Sequence, residues 1–238
     1  MNRRESQKNI QGVFNFMAQA YEGDWQFRWG NTPYFQSVKN GRQESITSHV
    51  WGCMGLWMQL RRVCPELNQF VDHTKVYEIL WGHDLGETYK GDISAVLQLQ
   101  GEGVDKHLLE REEIKRMASS LPNRSRKDLL ERFDKFESPP EKIDGPETLI
   151  AIFLDSLQGN HFCLTFGNDL PKHSATISKI INKFQVPYFR RLVEVLIDSG
   201  QPGAAKEIKQ ILTIHLDQIK QAKIDIDTTN LGNLILAP

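Results

Sequence analysis

Leu149-Ile150-Ala151-Ile152-Phe153-Leu154-Asp155-Ser156-Leu157 is the stretch whose reading decides how this chain folds. From Thr148 to Leu157 it is almost uniformly apolar. A surface helix would be apolar on one stripe only, so this one belongs at the centre of the fold. Asp144-Gly145-Pro146-Glu147 reads as its start, with Asp144 as the cap and Pro146 in the first turn. One carboxylate interrupts the run. A buried carboxylate without a partner costs several kcal/mol, so Asp155 demands a cation, a hydrogen-bond network or protonation. An exposed stripe, or an ion pair with an arginine, would meet that demand equally well.

Outward from this helix, apolar residues recur at spacings of three and four, and no alternating β-branched runs are joined by Asn-Gly or Asp-Gly turns. The chain reads as all-α. Helices are expected over Ser6 to Tyr21 (Ile10, Val13, Phe14, Met17 and Ala18 on one face), Ile46 to Val63, Thr74 to Glu87, Asp105 to Ala118 and Ser125 to Glu137. Ser174 to Ser199, broken near Pro187, and Pro202 to Lys223 follow the central helix. Glu22 to Arg42 reads as a long loop carrying Trp25, Phe27 and Trp29. A single domain over residues 1–238 is expected, its core over about 42–160 and C-terminal helices over about 172–225 packed on it.

Composition narrows the function. The 238 residues include 29 Lys and Arg against 30 Asp and Glu, for a net charge of −1, which argues against a protein that coats nucleic acid or an anionic membrane. Cys53, Cys64 and Cys163 are odd in number and show no Cys-x-x-Cys spacing, so neither a disulfide framework nor a zinc knuckle is indicated. No apolar run has the length of a signal peptide core or a membrane span. A soluble protein of the reducing cytoplasm fits these features.

Three features carry chemistry. The first is Asp155. The second is His83-Asp84-Leu85-Gly86-Glu87-Thr88-Tyr89-Lys90-Gly91-Asp92, an imidazole and three carboxylates within ten residues, suited to a hard or borderline divalent metal. Gly82 leaves room for a cation at the helix edge. The third is His49, near the start of an otherwise apolar helix. A lone histidine there is more often a satisfied core residue, but His49, then His83-Asp84, then Asp155, each on its own helix, offers two imidazoles and two carboxylates to one metal.

His49, His83-Asp84 and Asp155 resemble the H…HD…D signature of the HD-domain metal-dependent phosphohydrolases, whose fold is an all-helical bundle around the metal. Arg42-Gln43-Glu44-Ser45-Ile46-Thr47-Ser48-His49 and the His83 to Asp92 string are similar to the 5′-deoxynucleotidase branch, over roughly Arg28 to Asp155. The resemblance implies that His49, His83, Asp84 and Asp155 hold one divalent ion. Manganese, cobalt, iron, zinc and magnesium all suit that set. It implies that Glu87 handles the proton of the attacking water and that Asp92 orients water or substrate. Arg28-Trp29 corresponds to the branch's pair for phosphate and sugar, with residues 30–41 as an inserted loop and Arg42 as a competing phosphate contact. The implied activity is removal of phosphate from nucleoside 5′-monophosphates with deoxy preference, and the family also suggests a homodimer, for which exposed apolar faces in the C-terminal third would serve.

Two alternatives stand beside this. The inserted loop and long C-terminal third would allow a deoxynucleoside triphosphate triphosphohydrolase. A helical protein that senses a nucleotide or metal without turnover is the alternative of another class; the presence of Glu87 beside all four ligands speaks against it. His161 and His173 read as surface residues near a loop, and His73, His107 and His215 as solvated. Trp51, Met54, Trp57 and Met58 read as core, and Arg124-Ser125-Arg126-Lys127 as a solvated helix start.

Overall fold

The computed structural model describes residues 3–30, 32–35, 43–89, 91–101 and 106–227. Eleven α-helices lie among them: α1 (Arg3–Ala20), α2 (Ile46–Val63), α3 (Pro65–Phe70), α4 (His73–Gly82), α5 (Ala95–Gln100), α6 (Lys106–Met117), α7 (Asn123–Phe136), α8 (Pro146–Phe166), α9 (Ser174–Ile180), α10 (Val186–Asp198) and α11 (Pro202–Gln221). The fold is all-α, and no described helix is long and apolar enough to cross a membrane. The three cysteines are free thiols.

The apolar stretch from Leu149 to Leu154 lies in α8, buried on every side by α2, α4 and α10, with α7 and α11 completing its surroundings. The apolar cluster around α8 continues without interruption through Leu192, Leu212 and Ile226, so the C-terminal helices share the core that holds Asp155 in place. A smaller cluster, Phe16, Leu85, Ile114, Met117, Ala118 and Phe133, joins α1, α6 and α7. Local chemistry sets the helix starts that matter. Ser45 caps α2 by accepting from the Ser48 N–H at 3.1 Å, and Asp72 caps α4 by accepting from Lys75 N–H at 3.2 Å.

Several expectations are corrected. Asp144 does not cap α8: Gly145 occupies that position, and the exposed Asp144 pairs with Arg191 at 3.5 Å. The face of α1 that points inward carries Gly12, Phe16 and Met17, while Ile10, Val13 and Phe14 are exposed. The reason is a backbone contact that apolar periodicity does not report. A Cβ on Gly12 would lie against the Ser120 carbonyl, and Ser120 Oγ donates to the Gly12 carbonyl at 3.1 Å. Pro187 does not break its helix. One π-helical turn, Ile181–Gln185, absorbs the missing N–H, so α9 and α10 run on as one rod.

Three histidines expected in solvent are not there. His215 is 5% exposed, His107 stacks on Phe133 with centroids 5.4 Å apart, and His73 packs on Trp57 at 5.5 Å. Trp51, expected in the core, is 78% exposed, and Met58 is exposed as well; Trp57 is fully buried. Among the described residues, exposed apolar side chains collect toward the N-terminus, at Phe14, Tyr21, Trp25 and Trp51, and the large exposed ones in the C-terminal third are Ile197 and Ile214.

Candidate active site

The end of α4 builds the first half of the site. The expected helix to Glu87 stops at Gly82 instead; His83 keeps helical angles, Asp84 leaves them (φ −98, ψ 9), and Leu85–Glu87 form a tight 3-10 turn. In a regular helix neighbouring side chains diverge by about 100°. The change of path lets both turn inward: His83 Nε2 lies 3.3 Å from Asp84 Oδ1. Gly86 makes the turn possible, because a Cβ there would sit 2.5 Å from the Cβ of Glu110 on α6. The turn and α6 are therefore in backbone contact.

α2 brings His49 and α8 brings Asp155. His49 Nε2 lies 2.9 Å from Asp155 Oδ1, 3.5 Å from Asp84 Oδ2 and 3.3 Å from His83 Nε2. Asp155 Oδ1 is 3.8 Å from His83 Nε2. Both imidazoles are buried. Metal–ligand bonds of about 2.1 Å place neighbouring ligand atoms roughly 3 Å apart or slightly more, the range seen here. The proton positions point the same way. His83 Nδ1 faces the Leu80 carbonyl at 2.7 Å, which only accepts, so Nδ1 carries the proton. His49 Nδ1 faces Gln158 Oε1, whose amide nitrogen donates to Glu44 Oε1 at 2.8 Å, so this Nδ1 is also the protonated one.

Two unprotonated Nε2 atoms thus point at each other and at two carboxylates, an arrangement that needs positive charge between them. The residues fit a divalent cation. Without one, a proton takes its place. Burial would lower the His83 pKa, but Asp84 and Asp155 raise it to about 9. Asp155 is held well below the usual carboxylate range: burial opposes this, and the hydrogen bonds from His49 and His83 outweigh it.

The structure also places residues that spacing alone does not. Cys53, one turn after His49, has its Sγ 3.5 Å from His49 Nε2, and His49, Cys53, His83 and Asp155 form a cluster that could hold a metal ion. Burial pushes the Cys53 thiol up, away from the thiolate a metal needs. Glu44 receives both the Gln158 amide and the Trp29 indole N–H, the latter at 2.8 Å. This Glu44–Gln158–His49 chain fixes the ring from behind. Its signals were Gln158 three residues beyond Asp155 on one helix, and Glu44 inside the quoted motif.

Arg28 reaches the site although the loop after it is long. An antiparallel bridge between Phe27 and Ser45, with Arg28 N–H donating to the Glu44 carbonyl at 2.9 Å, pins the segment to the start of α2. Arg28 Nη1 then meets Asp84 Oδ2 at 2.7 Å, while its buried Nε has no protein partner. Trp29 takes a left-handed φ of 70° and stacks on Phe35, centroids 4.8 Å apart. Arg42 and most of the loop 30–41 lie outside the described residues.

Glu87 is 3% exposed; Lys106 Nζ holds its Oε1 at 2.8 Å, and Oε2 has no partner. Burial, with Asp84 next in weight, pushes the Glu87 carboxyl well up, and Lys106 works against that. Lys106 also meets Glu110 at 3.3 Å and Asp92 at 4.0 Å. Burial raises Glu110 to about 7. Lys106 was not singled out from the sequence; its i,i+4 spacing to Glu110 was the available signal. Arg28, Trp29, Asp92, Lys106 and Asp155 all border one cavity of about 250 Å³ that runs from this cluster toward the C-terminal helices. His161 is exposed and His173 packs on Tyr34.

Residues 35–183 match the HD domain family, and the chain belongs to it. The fold is similar to that of a solved structure, a predicted metal-dependent phosphohydrolase from Magnetospirillum magnetotacticum MS-1. The two share 15% identity and a TM-score of 0.56, covering 89% of this chain and 94% of that one. At that identity the likeness is one of fold. No curated protein matches the sequence.

Proposed function

We propose that the protein is a metal-dependent phosphohydrolase that removes phosphate from nucleoside 5′-monophosphates, with a preference for deoxyribonucleotides. The observation that carries the reading is the convergence of the His49 and His83 Nε2 atoms and two carboxylates beside a buried glutamate with an unpartnered oxygen. His49, His83, Asp84 and Asp155 would hold one divalent ion, for which manganese, cobalt, iron, zinc and magnesium are all chemically suited. Such an ion supplies an activated water and withdraws charge from a phosphoryl oxygen.

The chain's own groups do the rest. Glu87 Oε2, which has no protein partner, accepts the proton of the attacking water. Lys106 holds the other oxygen, Oε1, at 2.8 Å. Arg28, anchored on Asp84 through one nitrogen, offers its remaining N–H groups to the phosphate. Asp92, on the cavity wall, orients water or substrate. Trp29 accounts for deoxy preference. Its indole N–H is committed to Glu44, so a ribose 2′-hydroxyl against this ring would lose its hydrogen bond to water and gain none, at a cost of about 1–3 kcal/mol.

The test is product identification from deoxy- and ribonucleoside mono- and triphosphates with manganese, cobalt or magnesium. Orthophosphate and nucleoside from deoxynucleoside monophosphates is the expected result. Tripolyphosphate from triphosphates would replace this reading with triphosphohydrolase activity. No turnover by folded, metal-loaded protein would replace it with a sensing role. Glu87→Gln should keep the metal and lose about 10²–10⁴-fold in kcat, the usual contribution of a positioned base.

A further inference from the structure

The cavity continues past the metal cluster between α8 and the C-terminal helices, and its far half has a composition of its own. One side of α8 forms its floor: Ile152, Asp155, Ser156, Gly159, Asn160 and Cys163. The rod of α9, the π-helical turn and α10 forms the opposite wall through Ile177, Ile180, Ile181, Phe184, Gln185 and Tyr188. This wall is apolar except at Gln185 and at the Tyr188 hydroxyl, which is committed to the Ser138 carbonyl at 3.1 Å. Gln185 leaves the π-helical turn to meet Asn160, and the two amides bond reciprocally: Asn160 Nδ2 donates to Gln185 Oε1 at 2.8 Å, and Gln185 Nε2 donates to Asn160 Oδ1 at 3.1 Å.

Each amide uses one donor and one acceptor on the other and keeps a second N–H and a second lone pair. The pair therefore presents a small donor–acceptor edge inside an apolar slot. A ligand with flat apolar faces and a hydrogen-bonding rim fits that combination, and amides of this type pair with the donor and acceptor groups of nucleobases. Position agrees with this. Asn160 lies five residues beyond Asp155, about 7.5 Å along the helix axis, which leaves room for a sugar between a phosphate at Arg28 and a base at the amide pair.

We infer that the slot between α8 and the α9–α10 rod is the nucleobase subsite, and that Asn160 and Gln185 read the hydrogen-bonding edge of the base. The inference rests on the nucleotide reading of the metal site and assigns the C-terminal third its part in that reaction: it sets base preference. The π-helical turn is the device that places Gln185 opposite Asn160.

The experiment compares wild type with the double variant Asn160→Leu/Gln185→Leu and with the isosteric Gln185→Glu, all full-length and checked for helical content. Two quantities are read: the ratio of kcat/KM between the best and worst of the four deoxynucleoside 5′-monophosphates, and binding of the free deoxynucleosides by calorimetry. Loss of both edge contacts should shrink the preference ratio about 30-fold, the equivalent of about 2 kcal/mol for two hydrogen bonds to the base. Gln185→Glu, which turns a donor into an acceptor, should reorder the bases and covers the case in which the double variant does not fold.

Turnover with an unchanged base ranking in the folded variants overturns the subsite and leaves the phosphohydrolase reading intact. Nucleoside binding that weakens in the variants, with no turnover of any nucleotide by wild type, keeps the subsite and overturns the phosphohydrolase reading. Wild-type protein that binds no nucleoside and shows no base preference overturns the subsite.

Discussion

Gln158 stands behind His49 and holds its ring in place. Its Oε1 faces His49 Nδ1, and its Nε2 is held by Glu44, so the amide cannot flip without losing both bonds. Leucine at this position removes the acceptor that fixes the His49 tautomer. Gln158→Leu should weaken metal affinity about 10–100-fold, the usual effect of losing a partner behind a ligand. Competition with a chromophoric chelator measures it, and unchanged affinity would remove Gln158 from the account. At this scale the residues that converge were legible because each residue type is chemically conspicuous where it stands. Asp155 interrupts an apolar helix, and His83-Asp84 heads a run of carboxylates. The Glu44–Gln158 support was hidden because it joins neutral or ordinary surface residue types across 114 positions. Lys106 was hidden for the same reason: a lysine in a charged stretch looks solvated until the fold sets it 2.8 Å from Glu87.

The longer helices were legible from periodicity, while the six-residue helices α3 and α5 were not; the facing of each helix was set by contacts that periodicity does not contain. Gly12 and Gly86 are the clearest instances, since both mark places where two backbones touch. Gly86→Ala would drive a Cβ into Glu110 and push the 3-10 turn off α6, moving Glu87 away from Lys106. The overpacking should cost about 1–3 kcal/mol in urea unfolding and abolish turnover even where the fold survives. A stable and fully active Gly86→Ala protein would show that the turn has slack. The burial of His215 has a related cause. His215 is read as solvated because its neighbours in sequence are charged, but α11 turns it into the core.

Burial lowers the His215 pKa from 6.5 to about 4. The unfolded chain takes up the proton near 6.5 and the folded protein does not. Stability from this group is therefore present above pH 6.5 and is lost as pH falls toward 4, by about 3 kcal/mol over the full interval. His215→Leu should flatten the fall in unfolding free energy between pH 7 and pH 4.5. An equally steep fall in the variant would place the acid sensitivity elsewhere.

Across the whole molecule, one apolar core reaches from Tyr34 to Ile226 and holds α8 against both the metal cluster and the C-terminal rod. The cavity borders both, so the same helix that carries Asp155 also carries Asn160 toward Gln185. Helix α8 thus couples the chemistry to the part of the protein about which the motifs say least. On the proposed reading, His49, His83, Asp84 and Asp155 together hold one divalent ion. Elemental analysis of wild type and Asp155→Ala after incubation with excess manganese and desalting decides this. About one ion per folded wild-type chain is expected, and essentially none in a folded Asp155→Ala protein. Metal-free wild type, or a variant that keeps its ion, would contradict it.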